Sequence, residues 1–194
     1  MSTAKESAFD LDIANIALSI AGVPNISSLD DSTTEARTCK GRVASAREYI
    51  LHSFKWTFLL KRAKLSPSGT VTPVWQYSYS FKLPQDFVTK AQVLDSNLDP
   101  ITSHQIVGDY IESDEEEVYL LYYSRHYQSE RIPGFVKEMI GAYLADQISH
   151  KLNPQERPRI QQHYARVERD ARRAELRNQP PHFYNKPSSR YLNA

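Results

Sequence analysis

Residues 75–84 read Trp75-Gln76-Tyr77-Ser78-Tyr79-Ser80-Phe81-Lys82-Leu83-Pro84, and this stretch decides the fold class. Aromatic or large apolar side chains occupy every second position up to residue 83, where a proline ends the alternation. A period of two places such side chains on one face of a β-strand. The stretch therefore predicts a strand in the middle of the chain.

Further strand patterns surround this stretch. Trp56, Phe58 and Leu60 alternate in the same way. Trp56 is expected to be buried at the joint between helix and sheet, where its indole N–H finds an acceptor. Shorter β candidates follow at residues 87–94, 101–111 and 118–123, separated by turn-like residues 95–100 and by the acidic residues 112–117. We expect residues 56–131 to be a β-rich insertion that forms one small antiparallel sheet.

Residues 1–55 have the helical period and are predicted to form the N-terminal half of a helical body. Ser7 is the expected cap of the first helix, which Gly22 and Pro24 should end. The expected inner stripe of this helix consists of Phe9, Ile13, Ile16 and Ile20.

A second helix is predicted to begin at Ser32, where Glu35 completes a capping box. Its apolar positions repeat at steps of three and four residues, which is typical of a seam that packs against another helix. The seam consists of Ala36, Cys39, Val43, Ala46 and Ile50.

The helical period returns in residues 132–177, the predicted C-terminal half of the helical body. Pro133 should open a short apolar helix that stops before Pro154, and a long charged helix should follow over residues 155–177. Residues 178–194 contain spaced prolines and read as an extended arm. Together these patterns predict an α+β fold, mainly an α-helical bundle with a β insertion and a C-terminal arm.

Composition narrows the functional classes. Lysine and arginine number 24 against 23 aspartates and glutamates, so the whole chain lacks the positive field of a dedicated nucleic-acid binder. The single cysteine, Cys39, excludes an internal disulfide and any multi-cysteine zinc site. The first ten residues lack the apolar core of a signal peptide, and no run approaches membrane-spanning length. We expect a soluble, unexported protein without a cofactor.

Several short strings, taken in their order along the chain, resemble the head-to-tail adaptor family of short-tailed bacteriophages, whose members are called tail tubular protein A-like. The resemblance covers nearly the whole chain, from the close of the first helix to a tyrosine-containing arm. The strings that carry it are Ala17-Leu18-Ser19-Ile20-Ala21-Gly22-Val23-Pro24, Ser27-Ser28-Leu29-Asp30-Asp31, Trp56-Thr57-Phe58, Leu83-Pro84-Gln85-Asp86-Phe87, and Ile132-Pro133 with Phe135.

The resemblance implies a structural virion protein and no enzymatic reaction. Adaptors of this family form a ring of about a dozen subunits between the portal protein and the tail nozzle, which is tail tubular protein B-like. Genomic DNA passes through the lumen of the ring without sequence-specific binding. The expected location is the tail or neck of the virion, after assembly in the host cytoplasm, and no membrane contact is implied.

The candidate site residues lie in two segments. The arm exposes aromatic and basic side chains that a monomer buries poorly, and the resemblance implies that they dock on the portal. The long helix carries arginines that suit subunit contacts or a DNA channel. The arm residues are Phe183, Tyr184, Lys186, Arg190, Tyr191 and Leu192, and the helix residues are Arg166, Arg169, Arg172, Arg173 and Arg177.

Two other functional classes remain open. The first is a nucleic-acid-binding module that uses the arginine-rich helix. The second is a tail-associated cell-wall hydrolase, because paired carboxylates can perform acid–base catalysis. The available carboxylates are Asp109, Glu112, Asp114, Glu115, Glu116 and Glu117, a run that more often forms a solvated turn or a docking surface.

Histidine and cysteine patterns favour ordinary structural roles. The six histidines have no paired spacing of the kind that binds zinc. Cys39 falls on the apolar seam of the second predicted helix, where a thiol behaves as a small hydrophobe. We therefore expect neither a metal site nor a nucleophile.

Overall fold

The computed structural model describes residues 2–178, and it describes the side chains of residues 7–177. Residues 2–58 and 127–178 form a helical unit, and residues 59–126 form a β unit, which lies within the predicted insertion. The helices are α1 Ser2–Ala21, α2 Thr34–Lys40, α3 Val43–Ser53, α4 Gly134–Leu152 and α5 Arg157–Asn178. The strands are β1 Leu60–Leu65, β2 Tyr79–Lys82, β3 Phe87–Leu94, β4 His104–Val107, β5 Tyr110–Ser113 and β6 Val118–Ser124. The predicted α+β class is confirmed.

Helix α1 is longer than predicted, because it begins at Ser2 and not near Ser7. Its end is where the sequence places it. Gly22 has a φ of +70°, the left-handed conformation that glycine adopts without strain, and the Val23 N–H donates to the Leu18 carbonyl over 3.0 Å. The buried face also differs from the predicted stripe. Ile16 and Ile20, two of the predicted stripe residues, are only half-buried. The fully packed positions of this helix are Phe9, Ile13, Ala14, Ala17, Leu18 and Ala21.

The second predicted helix is two helices, α2 and α3, separated by Gly41 and Arg42. The cap of α2 is Thr33, whose hydroxyl accepts the Ala36 N–H over 3.2 Å, so the capping box predicted at Ser32 was wrong. Thr33 is favoured because the helix begins one residue later than the pattern suggested. The predicted seam is nevertheless confirmed across the break. Each of its five side chains is buried.

The core of the helical unit joins α1, α3 and α4. The apolar stripe of the first predicted helix and the seam of the second both contribute to this core. Helices α1 and α4 approach closely at Gly141, where a Cβ atom would lie 2.3 Å from the Ile16 Cγ2 atom. Asp10 of α1 and Arg47 of α3 form an ion pair whose side chains are both largely buried. Helix α4 begins just after Pro133, which is its N-cap.

Trp56 was predicted to alternate in a strand but lies before a short 3₁₀ turn, Thr57–Leu59. Its ring is fully buried, and its indole N–H donates to the Ile50 carbonyl over 3.0 Å. Phe54, Phe58 and Phe135 pack around it. Burial with a satisfied N–H is the state predicted for this residue, although its secondary structure was wrong.

The β unit contains two three-stranded antiparallel sheets and not the single sheet expected. Their strand orders are β1-β6-β3 and β2-β5-β4. Strand β6 alternates strictly between buried and half-buried positions, as a central strand with one inward face should. Side chains from both sheets form one apolar core, whose buried members are Leu65, Phe81, Leu83, Val93, Ile111, Val118, Leu120 and Tyr122.

The alternating stretch at residues 75–84 is only partly a strand. Strand β2 contains Tyr79–Lys82, whereas Trp75 and Tyr77 precede it in an irregular segment. Gln76 has a φ of +73°, which interrupts extended backbone, and the Tyr77 N–H donates to the Trp75 carbonyl over 2.9 Å. The period predicted the buried side of Phe81 but not the point at which the strand begins.

Asp86 organises the polar side of the first sheet. Its carboxylate accepts hydrogen bonds from the Tyr122 hydroxyl at 2.9 Å and the Ser124 hydroxyl at 2.7 Å, and it pairs with Lys61 at 2.6 Å. Burial opposes ionisation of Asp86, but these donors together outweigh burial and hold its pKa well below the ordinary range. Burial and the neighbouring Asp86 carboxylate raise the pKa of Tyr122 to about 12. The partners of Asp86 come from β1 and β6, and Asp86 itself lies in the loop before β3.

Candidate interaction surfaces

Four of the five predicted arginines of α5 lie on one exposed face of the helix. Arg166, Arg169, Arg173 and Arg177 follow steps of three, four and four residues, which align them within a narrow stripe. We call these four residues the arginine stripe. Among the described residues, only Arg166 of this set has a polar partner, the His163 Nδ1 atom at 3.3 Å. The stripe therefore presents four charged groups to solvent.

Arg172 lies apart from the stripe. Its guanidinium pairs with Glu168 at 2.7 Å and lies over the Phe54 ring, with 5.3 Å between the Cζ atom and the ring centroid. The same four-residue spacing separates Arg166 from Asp170, but among the described residues Arg166 contacts His163 and not Asp170. A glutamate placed before its basic partner on a helix is the better orientation. Arg172 is thus held in place by its own helical unit.

The opposite face of α5 packs into the helical unit. Ile160 and Ala171 are buried there, as the sequence predicted. Glu175 is also buried, and its carboxylate accepts hydrogen bonds from the Thr57 N–H and hydroxyl groups. A buried carboxylate requires such donors. These contacts fix the rotation of α5 and leave the arginine stripe facing away from the core.

A stack of tyrosines crosses the helical unit and was missed from the sequence. Tyr49 of α3 stacks on Tyr143 of α4 with 4.7 Å between ring centroids, and Tyr143 meets Tyr164 of α5 at 5.5 Å. Burial raises the pKa of Tyr164 to about 12, with a smaller contribution from Glu168. The helical period favours an inner position for Tyr164, and for Tyr143 as an alternative to Leu144, but it does not indicate that these rings meet each other or Tyr49. Contacts between three separate helices leave no periodic signal that would reveal the stack.

The acidic run divides into residues with different roles. Asp109 lies in the turn between β4 and β5, at the far end of β5 from the other acids. Glu112 is buried in β5, and its carboxylate accepts the Gln105 side-chain amide over 2.8 Å. The remaining acids form an exposed turn between β5 and β6. This acidic turn consists of Asp114, Glu115, Glu116 and Glu117.

Two members of the acidic turn are already engaged within the β unit. Asp114 accepts both the N–H and the hydroxyl of Ser78, each at 2.9 Å, and Glu117 pairs with Lys64 at 2.8 Å. Glu116 is reached only by the Tyr79 hydroxyl at 3.4 Å, and the Glu115 carboxylate has no polar partner among the described residues. Glu115 and Glu116 are the charges that remain free for a partner.

The segment between β1 and β2 exposes two large apolar side chains. Val74 is 98% exposed and Trp75 is 76% exposed. Exposed tryptophan is uncommon, because its ring has a large apolar area. The Ser78 contacts with Asp114 connect this segment to the acidic turn. Trp75, Val74 and the acidic turn therefore form one surface, which we call the tryptophan surface.

The histidines and Cys39 add no second site. Cys39 is buried, and burial, with a smaller contribution from Glu35, raises its pKa to about 11, so its thiol stays protonated. Within residues 2–178, no group of three or more histidine, cysteine, aspartate or glutamate side chains is arranged to hold a metal ion. Among the described helices, none combines the length and apolarity that crossing a bilayer requires.

The predicted arm lies beyond the described side chains. Its six candidate residues, from Phe183 to Leu192, fall outside residues 2–178, so their docking role stays a prediction.

Comparison with known proteins assigns no family. A scan against protein-family models finds no model that matches the chain, and a search of curated proteins finds no match. The resemblance to phage adaptors therefore stays a prediction from the residues that carry it.

Proposed function

We propose that the chain is a structural subunit of a ring-forming head-to-tail adaptor, which connects a phage portal to its tail nozzle. The observation that carries the proposal is the chemistry of the two exposed surfaces. The arginine stripe and the tryptophan surface offer arginine, tryptophan and carboxylate groups that a single copy leaves unpaired. Arginine and aromatic side chains are the types most enriched at protein interfaces.

The positions of the family-like strings support the same proposal. Gly22 ends α1, and Trp56 is buried just after the end of α3. Asp86 accepts hydrogen bonds from side chains of strand β6. Pro133 then caps α4. These four of the five strings therefore each contain a residue that ends or caps a helix or that makes an internal hydrogen bond. A chain that shares such points with the adaptor family is expected to share its framework.

In the proposed assembly, helical units pack side by side around a lumen and the arm attaches each subunit to the portal. Many weak arms acting together give stable attachment, because every bound arm raises the effective concentration of the next. The prolines at positions 180, 181 and 187 restrict the unbound arm and lower the entropy lost on docking. No chemical reaction is part of this function.

The direct test of the arm uses a truncated chain and a portal protein from the same source. Deleting residues 178–194 should leave the melting temperature nearly unchanged, because the buried cores lie within residues 7–177. The truncated chain should fail to co-purify with the portal. A second variant keeps the full-length arm and replaces two of its aromatic residues, as Phe183→Ala with Tyr191→Ala. This variant should also attach more weakly to the portal. Full occupancy of the portal by the truncated chain would exclude the arm as the docking element.

Nucleic-acid binding is the second candidate function. Its supporting observation is that Arg169, Arg173 and Arg177 have no intramolecular partner among the described residues. A lumen that lets DNA slide should avoid tight phosphate contacts. An exposed carboxylate, Asp170, also lies next to Arg169 of the stripe and would repel a phosphate. We therefore favour a protein partner for the stripe.

A further inference from the structure

We propose that the tryptophan surface of one copy docks on the arginine stripe of a second copy. This pairing rests on the proposed ring function and names the contact that would join its subunits. It follows from four features of the described residues: a fixed apolar anchor, free carboxylates beside it, unpaired arginines elsewhere, and opposite charge.

Hydrogen bonds within the β unit hold the backbone on either side of Trp75. The Tyr77 N–H donates to the Trp75 carbonyl, and Gln76 between them has left-handed backbone, which costs a non-glycine residue energy. Ser78 is fastened to Asp114 by two hydrogen bonds. At the other end of the segment, the Ser68 N–H donates to the Ser80 carbonyl over 2.7 Å. A fixed anchor loses little entropy on docking.

The charges around the anchor select a basic partner. Lys64 neutralises Glu117, and Asp114 is occupied by Ser78, which leaves Glu115 and Glu116. Carboxylates form their strongest hydrogen bonds with the paired N–H groups of arginine. An indole ring also attracts a guanidinium placed over its face. A row of exposed arginines therefore satisfies both parts of the tryptophan surface.

The arginine stripe has the matching composition. Its four guanidinium groups lie between Arg166 and Arg177 of α5. Leu176, which is 58% exposed, lies on the helix between Arg173 and Arg177 and offers apolar contact for Trp75 or Val74. The stripe thus combines cationic and apolar groups in the way that the acidic, aromatic surface requires.

The signs of the charges determine which surfaces can meet. Contact of the stripe with a second stripe, or of the acidic turn with a second acidic turn, would place like charges together, and like charges repel. The stripe of one copy can instead meet the tryptophan surface of the next, and repetition of this head-to-tail contact closes into a ring when the rotation permits. A second copy of this chain is therefore the occupant that fits both surfaces.

The test uses two charge-reversed chains. In Glu115→Lys/Glu116→Lys the turn becomes basic, and in Arg169→Glu/Arg173→Glu the stripe becomes acidic. Each variant alone should self-associate at least about tenfold more weakly than the wild type in sedimentation velocity. Mixing the two variants should restore association, because each turn then faces a stripe of opposite charge. Trp75→Ala should weaken association too, and Arg157→Glu, away from the stripe, should not.

Disulfide trapping gives an independent readout of the same contact. Glu115→Cys in one chain and Arg173→Cys in another should form a mixed dimer under oxidation, whereas Glu115→Cys with Arg157→Cys should not. Cys39 is buried and does not compete. Unchanged melting temperatures would show that each variant is folded.

Several results would overturn the pairing. The first is equal self-association of the wild type and all variants, or equal trapping with both cysteine pairs. Loss of binding to duplex DNA or to a different protein, with self-association intact, would also reject it and assign the surfaces to that partner. If rings still form on the portal from the charge-reversed chains, the pairing fails while the proposed function stands. If the wild type forms no ring on the portal, the proposed function fails as well.

Discussion

Trp56 is a fully buried side chain at the centre of an aromatic cluster in the helical unit. Replacement by alanine removes a fully buried ring and leaves the Ile50 carbonyl without its indole donor. We expect Trp56→Ala to lower the free energy of unfolding by about 3–5 kcal/mol, the usual cost of emptying an aromatic core site. Urea unfolding followed by circular dichroism measures this loss.

The two tryptophans also provide an accessibility check. Trp75→Phe leaves Trp56 as the only tryptophan, and Trp56→Phe leaves Trp75. Iodide should quench fluorescence of the Trp56→Phe variant strongly and that of the Trp75→Phe variant weakly. Equal quenching of the two variants would contradict both the burial of Trp56 and the exposure of Trp75.

Asp86 should make stability depend on pH. Its pKa is lowered in the folded state, so its contribution is complete above the unfolded value of about 3.9 and is lost as pH falls towards the folded value. Asp86→Asn should cost about 1.5–3 kcal/mol at pH 7, the range for hydrogen bonds to a charged group. The difference from the wild type should shrink below about pH 4.

Chemical denaturation of both proteins at a series of pH values measures this difference. Asp30→Asn is the control, since Asp30 forms only an exposed pair with Lys40 and its removal should not change the melting temperature. A wild-type advantage that stays constant from pH 7 to pH 2.5 would show that the stabilisation by Asp86 does not depend on its ionised carboxylate.

Burial of single residues was predictable where periodicity alone decides it. Cys39, Ile50 and Trp56 are buried as expected, because their spacing places them on one side of a helix or beside a core. The Asp86 cluster was not predictable, since its donors come from strands far apart in the sequence. Trp75 was misplaced because alternation indicates a face only while the backbone remains extended.

At the scale of helices, the close approach of α1 and α4 depends on Gly141. Alanine is a better helix former than glycine by about 1 kcal/mol, but a Cβ at this position would lie 2.3 Å and 2.8 Å from two Ile16 atoms. We expect the overlap to exceed the gain in propensity, so Gly141→Ala should lower the melting temperature.

Gly134→Ala is the matched control, because a Cβ at Gly134 would have no atom within 4 Å. It should keep or raise the melting temperature. A Gly141→Ala variant as stable as the wild type would mean that α1 and α4 can separate without cost.

The elements themselves were predictable in type more than in extent. Strand β3 and helix α4 match their patterns closely, because each pattern is bounded by turn residues or prolines. The break between α2 and α3 and the division into two sheets were not foreseen. A period states which side chains share a face, and it does not state which strand pairs with which.

At the scale of the whole molecule, DNA binding separates the adaptor from the nucleic-acid-binding alternative. A duplex binder that used the arginine stripe would lose affinity steeply with salt, with a slope of up to about −3.6 if four arginines each neutralise a phosphate. We expect the isolated chain to show no such affinity at about 150 mM salt. Fluorescence anisotropy with a short duplex measures it, with Arg169→Glu/Arg173→Glu as the control.

The assembly itself could be expected from the sequence only through the resemblance, since no periodicity encodes a partner. The described surfaces add the chemical basis, because the arginine stripe and the tryptophan surface carry opposite charges on exposed faces. The positions of the arm residues remain a prediction from the sequence.

The central claim is that copies of this chain form a ring on a portal. Negative-stain electron microscopy of the purified chain, alone and mixed with a portal protein from the same source, tests for such rings. The account predicts closed rings of about a dozen copies stacked coaxially on the portal, with an open lumen. Portal rings that stay bare beside a chain that remains monomeric at the same concentrations would contradict it.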